Sequence, residues 1–290
     1  MFKTLSFGEI LWDLFPDYKK PGGSPANLAY HLHLFGNKSH LLSKIGSDEN
    51  GDELIKFLLK KGVSDTYIQK DPNLPTGTVS VAVDEENEPT YTIHQPAAWD
   101  DIEFTQELNL LTESLDAFCF ASLSQRSEGS KRTVESLLKR LPENCLKVYD
   151  LNLRAPFIDK QTILSNISES DVIKMNQEEY TTVGKWLDAV DTGDEILKMD
   201  ANKSVLLTLG SQGSELINSK GRFFQRAFPI HGHGDFVGVG DAFLACFTHL
   251  LLKRTEPQKL LESSNRYAAF VASQKGSMPD IPNDILDLIR

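Results

Sequence analysis

Cysteine is scarce in this 290-residue chain, which contains only Cys119, Cys145 and Cys246. Each lies in an apolar segment, and no two have the short spacing that structural zinc sites use. We therefore expect three buried, reduced thiols in a cytoplasmic protein. His231 and His233 stand two residues apart with no further ligands nearby, so we expect no transition-metal site there either.

Long apolar runs and an excess of positive charge are also missing. No stretch approaches the roughly 20 apolar residues that a membrane-spanning helix needs, and polar residues interrupt the N-terminus where a signal peptide would have its apolar core. The formal net charge of −11 disfavours nucleic acid and anionic membranes as partners. A negative net charge is still compatible with ATP as a ligand, because a few backbone N–H groups and one cation can bind phosphate locally.

Strands alternate with helices along most of the chain, which predicts an α/β fold with a mostly parallel sheet covered on both faces. We predict the main strands at 3–10, 40–45, 116–121, 146–151, 171–174 and 204–209, and helices at 24–35, 50–61, 129–140, 160–166, 176–184, 188–199, 240–252, 256–273 and 282–288. Segments 214–218 and 222–228 are typical of an antiparallel hairpin at a sheet edge. Segments 77–83 and 90–94 form a second hairpin around a turn at 85–89.

No Gly-x-x-x-x-Gly-Lys-Ser/Thr motif is present, so a P-loop does not bind phosphate here. Instead Gly238, Val239 and Gly240 lead into Asp241 and an apolar helix. Such a turn presents backbone N–H groups and the positive end of a helix dipole, which together bind anions. A carboxylate at that place would repel phosphate, so we predict that Asp241 is a base while the N–H groups of 238–241 hold a phosphoryl group. The alternative is an Asp that merely complements the helix dipole.

A second stretch resembles a known family. Residues 22–29 read Gly-Gly-Ser-Pro-Ala-Asn-Leu-Ala, and Gly36 and Gly46 follow, as in the N-terminal signature of the ribokinase-like (PfkB) carbohydrate kinases. Residues 238–243 resemble the C-terminal signature of that family, in the expected order. Residues 8–13 and 150–154 are most similar to the fructokinase branch, and the resemblance covers nearly the whole chain.

The resemblance implies a ribokinase-like three-layer sandwich in which residues 1–290 form one domain. A small β lid, from about 11–22 and 77–99, would cover the edge of the sheet where ligands bind. A homodimer through that lid is a further expectation.

For the sugar, the family position favours Asp13 and Asn27, since a carboxylate accepts from two hydroxyls and an amide both donates and accepts. Gly23 would let the backbone approach the sugar closely, or simply make the turn before a helix. Trp99 is predicted to stack on the sugar ring, with anchoring of the lid as the alternative. Arg154 follows a strand and would orient the acceptor, an ATP phosphate or the carboxylate of an acid sugar.

The resemblance also implies a site for ATP and Mg²⁺. The residues expected to bind the nucleotide fall in three groups. Thr208, Gly210 and Gly213 belong to a Gly-x-x-Gly loop, and Gly238 and Gly240 would lie around the phosphates. The adenine-side helices contribute Asn265, Ala268, Ser273 and Gly276. Asn176 and Glu179 resemble the Asn-x-x-Glu motif of the family, in which the pair holds Mg²⁺ near the phosphates. We expect Glu179 to bind Mg²⁺ through water. A helix N-cap followed by a dipole-complementing Glu describes the same geometry.

Three departures from the family pattern affect the site. Phe236 replaces the usual Thr and Val239 the usual Ala, which leaves open the backbone-lined monovalent cation (K⁺) site that the family often has. Residues 95–100 lack the Arg that many fructokinases carry, which leaves the choice among the family's sugars open.

These observations predict a cytoplasmic, ATP-dependent sugar kinase, closest to a fructokinase, that phosphorylates a primary hydroxyl of a neutral sugar. Ribose, 2-keto-3-deoxygluconate and nucleosides are alternative acceptors within the family. A sugar-binding regulator without turnover is the alternative outside the enzyme class, and Asp241 argues against it because a binder needs no base.

Overall fold

Thirteen strands and ten helices make up the regular structure of the computed structural model, which describes residues 1–83, 89–232 and 234–290. The strands are β1 (Lys3–Phe7), β2 (Leu11–Leu14), β3 (Lys19–Gly22), β4 (Lys38–Gly46), β5 (Ile68–Asp71), β6 (Gly77–Val83), β7 (Pro89–Ile93), β8 (Ala117–Ala121), β9 (Leu146–Asp150), β10 (Val172–Asn176), β11 (Ser204–Thr208), β12 (Ser214–Asn218) and β13 (Gly221–Gln225). The helices are α1 (Ser24–Leu34), α2 (Glu49–Lys60), α3 (Glu107–Thr112), α4 (Glu128–Leu138), α5 (Lys160–Glu169), α6 (Gln177–Leu187), α7 (Thr192–Met199), α8 (Val239–Leu252), α9 (Pro257–Ala272) and α10 (Asn283–Leu286). His233 and all but the last residue of the turn predicted at 85–89 lie outside the described residues.

The main sheet has the order β13-β12-β11-β10-β9-β8-β1-β4-β5. All neighbours from β11 to β5 are parallel, whereas β12 and β13 form the antiparallel edge hairpin that the sequence predicts. The predicted α/β class with a mostly parallel sheet is therefore confirmed. Each predicted strand of this sheet is present within a few residues, but β5 at the other edge and α3 were not predicted from the sequence.

Both faces of the main sheet are buried. In β8, Phe118 and Phe120 point into a core shared with α3 to α7, whereas Cys119 points into a second core shared with α1, α8 and α9. Every residue of β8 is buried, as expected for a central parallel strand covered by helices on both sides. No helix of the described residues is long and apolar enough to cross a membrane.

A second, small sheet has the order β3-β2-β6-β7. Its strands β2 and β3 lie within residues 11–22, where the small β lid is expected, and they pair in antiparallel register. The indole N–H of Trp12 in β2 donates to the carbonyl of Asn50 in α2 at 2.9 Å. Lys20 in β3 forms an ion pair with Asp235, just before α8, at 2.9 Å. These contacts hold the small sheet beside the N-terminus of α8.

The segment after β7 is held by a buried cation. The guanidinium carbon of Arg126 lies 3.9 Å from the centre of the Trp99 ring and 4.7 Å from that of Phe157. Its nitrogens donate to both carboxylate oxygens of Asp100, at 2.7 and 2.9 Å, and to the carbonyl of His94 at 2.9 Å. Trp99 has no exposed surface, so the prediction that it stacks on the sugar ring is wrong. Its surroundings agree with the alternative, in which it anchors the segment below the small sheet.

Removal of the Arg126 guanidinium would leave Asp100 as a buried carboxylate without its cation. We expect R126M to lower the free energy of unfolding by about 3 kcal/mol, because breaking a buried ion pair costs about 3–5 kcal/mol. Urea unfolding followed by circular dichroism measures this. R140M is the matched control, since Arg140 also lies over a ring, that of Phe104 at 4.6 Å, but is exposed. A loss no larger than that of R140M would contradict the prediction.

Candidate active site

The predicted site residues follow strands of the main sheet at the ends where parallel strands bind ligands. Arg154 comes after β9, Asn176 ends β10, and Thr208 ends β11 beside it, since Asn176 and Thr208 are paired in the sheet register. The N-termini of α1 and α8 reach the same region. The structure thus brings together most of the residues that the sequence singles out.

Asp241 lies in the first turn of α8 and is partly buried. The N-cap of this helix, Gly238, has a φ of 72°, which glycine adopts without strain, and a Cβ there would lie 2.5 Å from the Cβ of Ser277. The hydroxyl of Ser24 donates to Oδ1 of Asp241 at 2.6 Å, and Nδ2 of Asn27 donates to Oδ2 at 2.7 Å. The two sequence motifs that point to a kinase therefore meet at one carboxylate.

The charge state of Asp241 reflects opposing effects. Its pKa is raised to about 6, mainly by burial and also by the charge of Asp150, although the hydrogen bonds from Ser24 and Asn27 and the charge of Lys174 act to lower it. A carboxylate with this pKa is ionised at neutral pH and accepts a proton more readily than a surface Asp does. Asp241 thus has the properties of a general base.

Val239, which replaces the usual Ala in the turn before Asp241, is accommodated. The side chain of Val239 packs against the apolar core that α8 shares with the sheet, so its extra width does not intrude on the turn. A Cβ at Gly240 would lie only 3.5 Å from Nζ of Lys174, which places that ammonium directly against the turn. Phe236, which replaces the usual Thr, has a backbone φ of 58°, and 63% of its surface is exposed to solvent.

Asp13 and Asn27 lie on the side of Asp241 that faces the small sheet. Asp13 is in β2, and Gly22 makes room for it, since a Cβ at that glycine would lie 2.6 Å from Oδ2 of Asp13. Burial raises the pKa of Asp13 to about 6, although Lys20 lowers it. Gly23, with a φ of 111°, starts α1, and a Cβ there would lie 2.4 Å from a backbone oxygen. Among the described residues, Oδ1 of Asn27 is buried without a hydrogen-bond partner.

Glu9 belongs to the same side, and sequence reasoning assigned it no role. It is 2% exposed, and its Oε2 has no partner within the described part of the chain. Burial raises its pKa to about 7, the nearby Asp241 raises it too, and Arg154 lowers it. Its position directly after β1 and a glycine was the available signal. Glu9, Asp13 and Asp241 therefore give the side predicted to bind the acceptor three carboxyl groups, with Arg154 exposed at its margin.

Asn176 and Glu179 form a reciprocal capping box at the start of α6. Oδ1 of Asn176 accepts from the N–H of Glu179 at 2.9 Å, and Oε2 of Glu179 accepts from the N–H of Asn176 at 2.8 Å. Oε1 of Glu179 accepts from the N–H of Leu153 at 2.8 Å, and the side chain is 5% exposed. The capping geometry is therefore present, and it fixes a carboxylate beside the loop that leads to Arg154.

The residues predicted to hold nucleotide lie along β11 and the loop after it. Gly210 is exposed with open space around its Cα, and Gly213 cannot be replaced, because a Cβ there would lie 1.9 Å from the carbonyl oxygen of Gln225. The hydroxyl of Thr208 donates to a neighbouring backbone carbonyl at 3.3 Å. Asn265 is 7% exposed, and its amide group donates to Ser214 at 2.7 Å, so part of its role is to join α9 to β12.

The described residues contain no group of three His, Cys, Asp or Glu side chains that could hold a metal ion by themselves. Both oxygens of Glu179 already accept from backbone N–H groups. This donor set fits an ion that is bound mainly by phosphate and water, as Mg²⁺ usually is, with Glu179 acting through water.

Two residues near the phosphate side were missed. Lys174 in β10 donates to both carboxylate oxygens of Asp150 at 2.9 Å, and the two residues are 9% and 4% exposed. Lys174 stands two positions before Asn176 in β10, so its side chain points to the same face of the sheet as that of Asn176. A charged residue inside an otherwise apolar strand was the available signal.

Known proteins with similar sequences and folds include sugar kinases. Probable fructokinase-5 from Arabidopsis thaliana is 28% identical, with 96% of this chain and 94% of the relative aligned. The structure of a sugar kinase from Pyrococcus horikoshii in complex with ATP superposes with a TM-score of 0.84 at 26% identity, covering 97% of this chain and 96% of that one. A fructokinase from Xylella fastidiosa with bound ATP has a TM-score of 0.87 at 20% identity, covering 99% and 98%, and shares the fold. The family model for pfkB carbohydrate kinases matches residues 17–284, and the chain therefore belongs to the pfkB family of carbohydrate kinases.

Proposed function

We propose that this protein is an ATP-dependent kinase that transfers the γ-phosphoryl group to a primary hydroxyl of a neutral sugar, with fructose as the first candidate. The observation that carries the proposal is the Asp241 carboxylate, which is held in the first turn of α8 by Ser24 and Asn27. The fructokinase relatives support fructose as the acceptor.

Asp241 takes the proton from the sugar hydroxyl as its oxygen attacks the γ-phosphorus. The new O–P bond forms while the bond from the γ-phosphorus to the bridging oxygen breaks, and ADP leaves with that electron pair. The N–H groups of 238–241 and the positive end of the α8 dipole stabilise the negative charge on the transferring group. Asn176 and Glu179 are the residues that would hold the water of an ATP-bound Mg²⁺, which would supply further neutralisation of the phosphate charge.

ATP extends along the edge of β11. The loop 208–213 offers backbone to the phosphates, and the exposed Gly210 allows close approach. Beside α9, a groove that includes Phe228, Pro229, Phe270 and Ser273 presents apolar surface next to the predicted adenine-side residues. Such a surface suits a purine ring.

The charges at the acceptor side favour a neutral sugar over an acid sugar or a sugar phosphate. Glu9, Asp13 and Asp241 are carboxyl groups, and Glu9 lies near enough to Arg154 for their charges to interact. A substrate anion at Arg154 would thus have to compete with Glu9. Hydroxyls, by contrast, find acceptors in Asp13 and in the unpaired Oδ1 of Asn27.

Three further expectations remain part of the proposal. The carboxylate of Asp235 already accepts from the N–H of Gly276 at 3.0 Å and pairs with Lys20, so a K⁺ ion nearby would rest mainly on backbone carbonyls. A homodimer through the small sheet and a cytoplasmic location are retained from the sequence.

Asp241→Asn preserves size and hydrogen-bonding ability but removes the base. We expect kcat to fall by about 10²–10⁴-fold, while the dissociation constant of the sugar, measured by calorimetry, changes far less. In the wild type, kcat should decline as the pH falls through about 6, because Asp241 must be ionised. Asp13 and Glu9 titrate in neighbouring ranges, so the pH dependence of the wild type alone does not assign the decline to Asp241. The check is the residual kcat of D241N, which should no longer decline as the pH falls through about 6. A D241N enzyme with near-normal kcat would refute the role of base.

Asp13→Asn keeps the fit against Gly22 but weakens an acceptor for sugar hydroxyls. We expect KM for the sugar to rise about 10–100-fold, as for the loss of one or two hydrogen bonds to a charged group, with KM for ATP nearly unchanged. D17N is the control, since Asp17 lies exposed in the turn of the same hairpin. Equal rises in both KM values would indicate a folding defect rather than sugar binding.

A comparison of acceptors tests the charge argument. We expect kcat/KM for fructose to exceed the values for fructose 6-phosphate and 2-keto-3-deoxygluconate, measured by coupled ADP formation with ATP and Mg²⁺. A preference for the sugar phosphate would overturn the neutral-sugar proposal, and a preference for the acid sugar would make Arg154 the main acceptor residue. Turnover of none of a wider sugar panel would support the regulator instead.

A further inference from the structure

Lys174 and Asp150 form a buried ion pair that the roles given above do not use. They are neighbours in the register of the parallel strands β10 and β9, and Nζ of Lys174 lies 2.9 Å from each oxygen of Asp150. Buried ion pairs add little net stability, because the cost of removing two charges from water offsets their attraction. Stability alone is therefore a weak reason for placing this pair inside the sheet.

The pair lies beneath the turn that is proposed to bind phosphate. A Cβ at Gly240 would be 3.5 Å from Nζ of Lys174, so the ammonium faces the side of Gly240 on which a side chain would project, next to the N–H groups that are proposed to form the anion site. Because glycine has no side chain, nothing at position 240 covers the ammonium from that side. Lys174 keeps 9% of its surface exposed.

The charges around Lys174 keep it protonated. Burial lowers its pKa, but Asp150, through its charge and hydrogen bonds, outweighs this, and Glu179 and Asp241 act in the same direction, so the pKa is raised above that of a free lysine. Nζ of Lys174 donates to Asp150, whereas Asp241 accepts from Ser24 and Asn27. A protonated donor is thus positioned next to the base without being its hydrogen-bond partner.

We propose that Lys174 is a catalytic residue whose ammonium donates a hydrogen bond to a non-bridging oxygen of the γ-phosphoryl group as it is transferred. Asp150 is the positioning residue that holds Nζ under Gly240. The ammonium stays protonated throughout, so no proton or electron pair moves to it, and its contribution is positive charge where negative charge develops. This inference rests on the proposed kinase reaction.

The test compares K174M with the double variant K174M/D150N. Met retains the apolar stem and removes the charge, and the double variant removes the unpaired carboxylate that K174M leaves buried. We expect kcat to fall about 10²–10³-fold in both variants, as for the loss of one donor to a transition state, with less than about 3-fold change in KM for the sugar. If the double variant regains both stability and wild-type kcat, the pair is structural and the proposal is wrong.

A second readout does not depend on turnover. We expect both variants to bind ADP with tetrafluoroaluminate and sugar, a mimic of the transferring group, at least about 10-fold more weakly than the wild type, while affinity for ADP alone changes less than about 3-fold. K203M is the control, because Lys203 is also a buried lysine but lies just before β11, at the opposite end of the strand from Thr208. Its ammonium donates to the carbonyls of Ser168 and Ser170 at 2.7 and 2.6 Å. Equal affinity of K174M and wild type for the mimic would refute the proposal. A wild type that phosphorylates no sugar would instead refute the proposed function, and the mimic would still test Lys174.

Discussion

The carboxylate of Asp241 is the point on which the rest of the site depends. Its two hydrogen bonds come from Ser24 and Asn27 in α1, which lie 217 and 214 residues earlier in the chain. These bonds bring the N-termini of α1 and α8 together. Both helix dipoles then direct their positive ends at the carboxylate. This arrangement offsets part of the cost of burying an ionised group, and it leaves the free N–H groups of the α8 turn beside the base.

Glycine makes that meeting of helices possible. At Gly23 a side chain would collide with a backbone oxygen, and at Gly238 it would collide with Ser277. Both residues also have positive φ values, of 111° and 72°, that other residues adopt only at a cost. The backbone therefore approaches the reacting groups closely on both sides of Asp241, which is what an anion site built from N–H groups requires.

The large elements could be predicted from the sequence because their signal is local. Continuous apolar runs such as β8 indicate buried parallel strands wherever they occur, and Gly238 to Asp241 indicate a helix start with an anion site. Trp99, Lys174 and Glu9 could not be placed in this way, since their surroundings are set by contacts between distant segments. An aromatic residue near a lid is as consistent with sugar stacking as with packing, and only the position of Arg126 decides between the two.

The link between the small sheet and α8 also depends on a contact between distant segments, so it could not be predicted from the sequence. Lys20 lies in β3, opposite Asp13 in β2, and its ammonium reaches Asp235 in the segment that leads into the phosphate-binding turn. Asp235 in turn accepts from the N–H groups of Val237 and Gly276, at 3.3 and 3.0 Å, on either side of that turn. One lysine therefore joins the strand pair that carries Asp13 to the segment that leads into α8. The proposed sugar carboxylate and the proposed phosphate-binding turn are thus linked through a single ion pair between segments that are 215 residues apart in the chain.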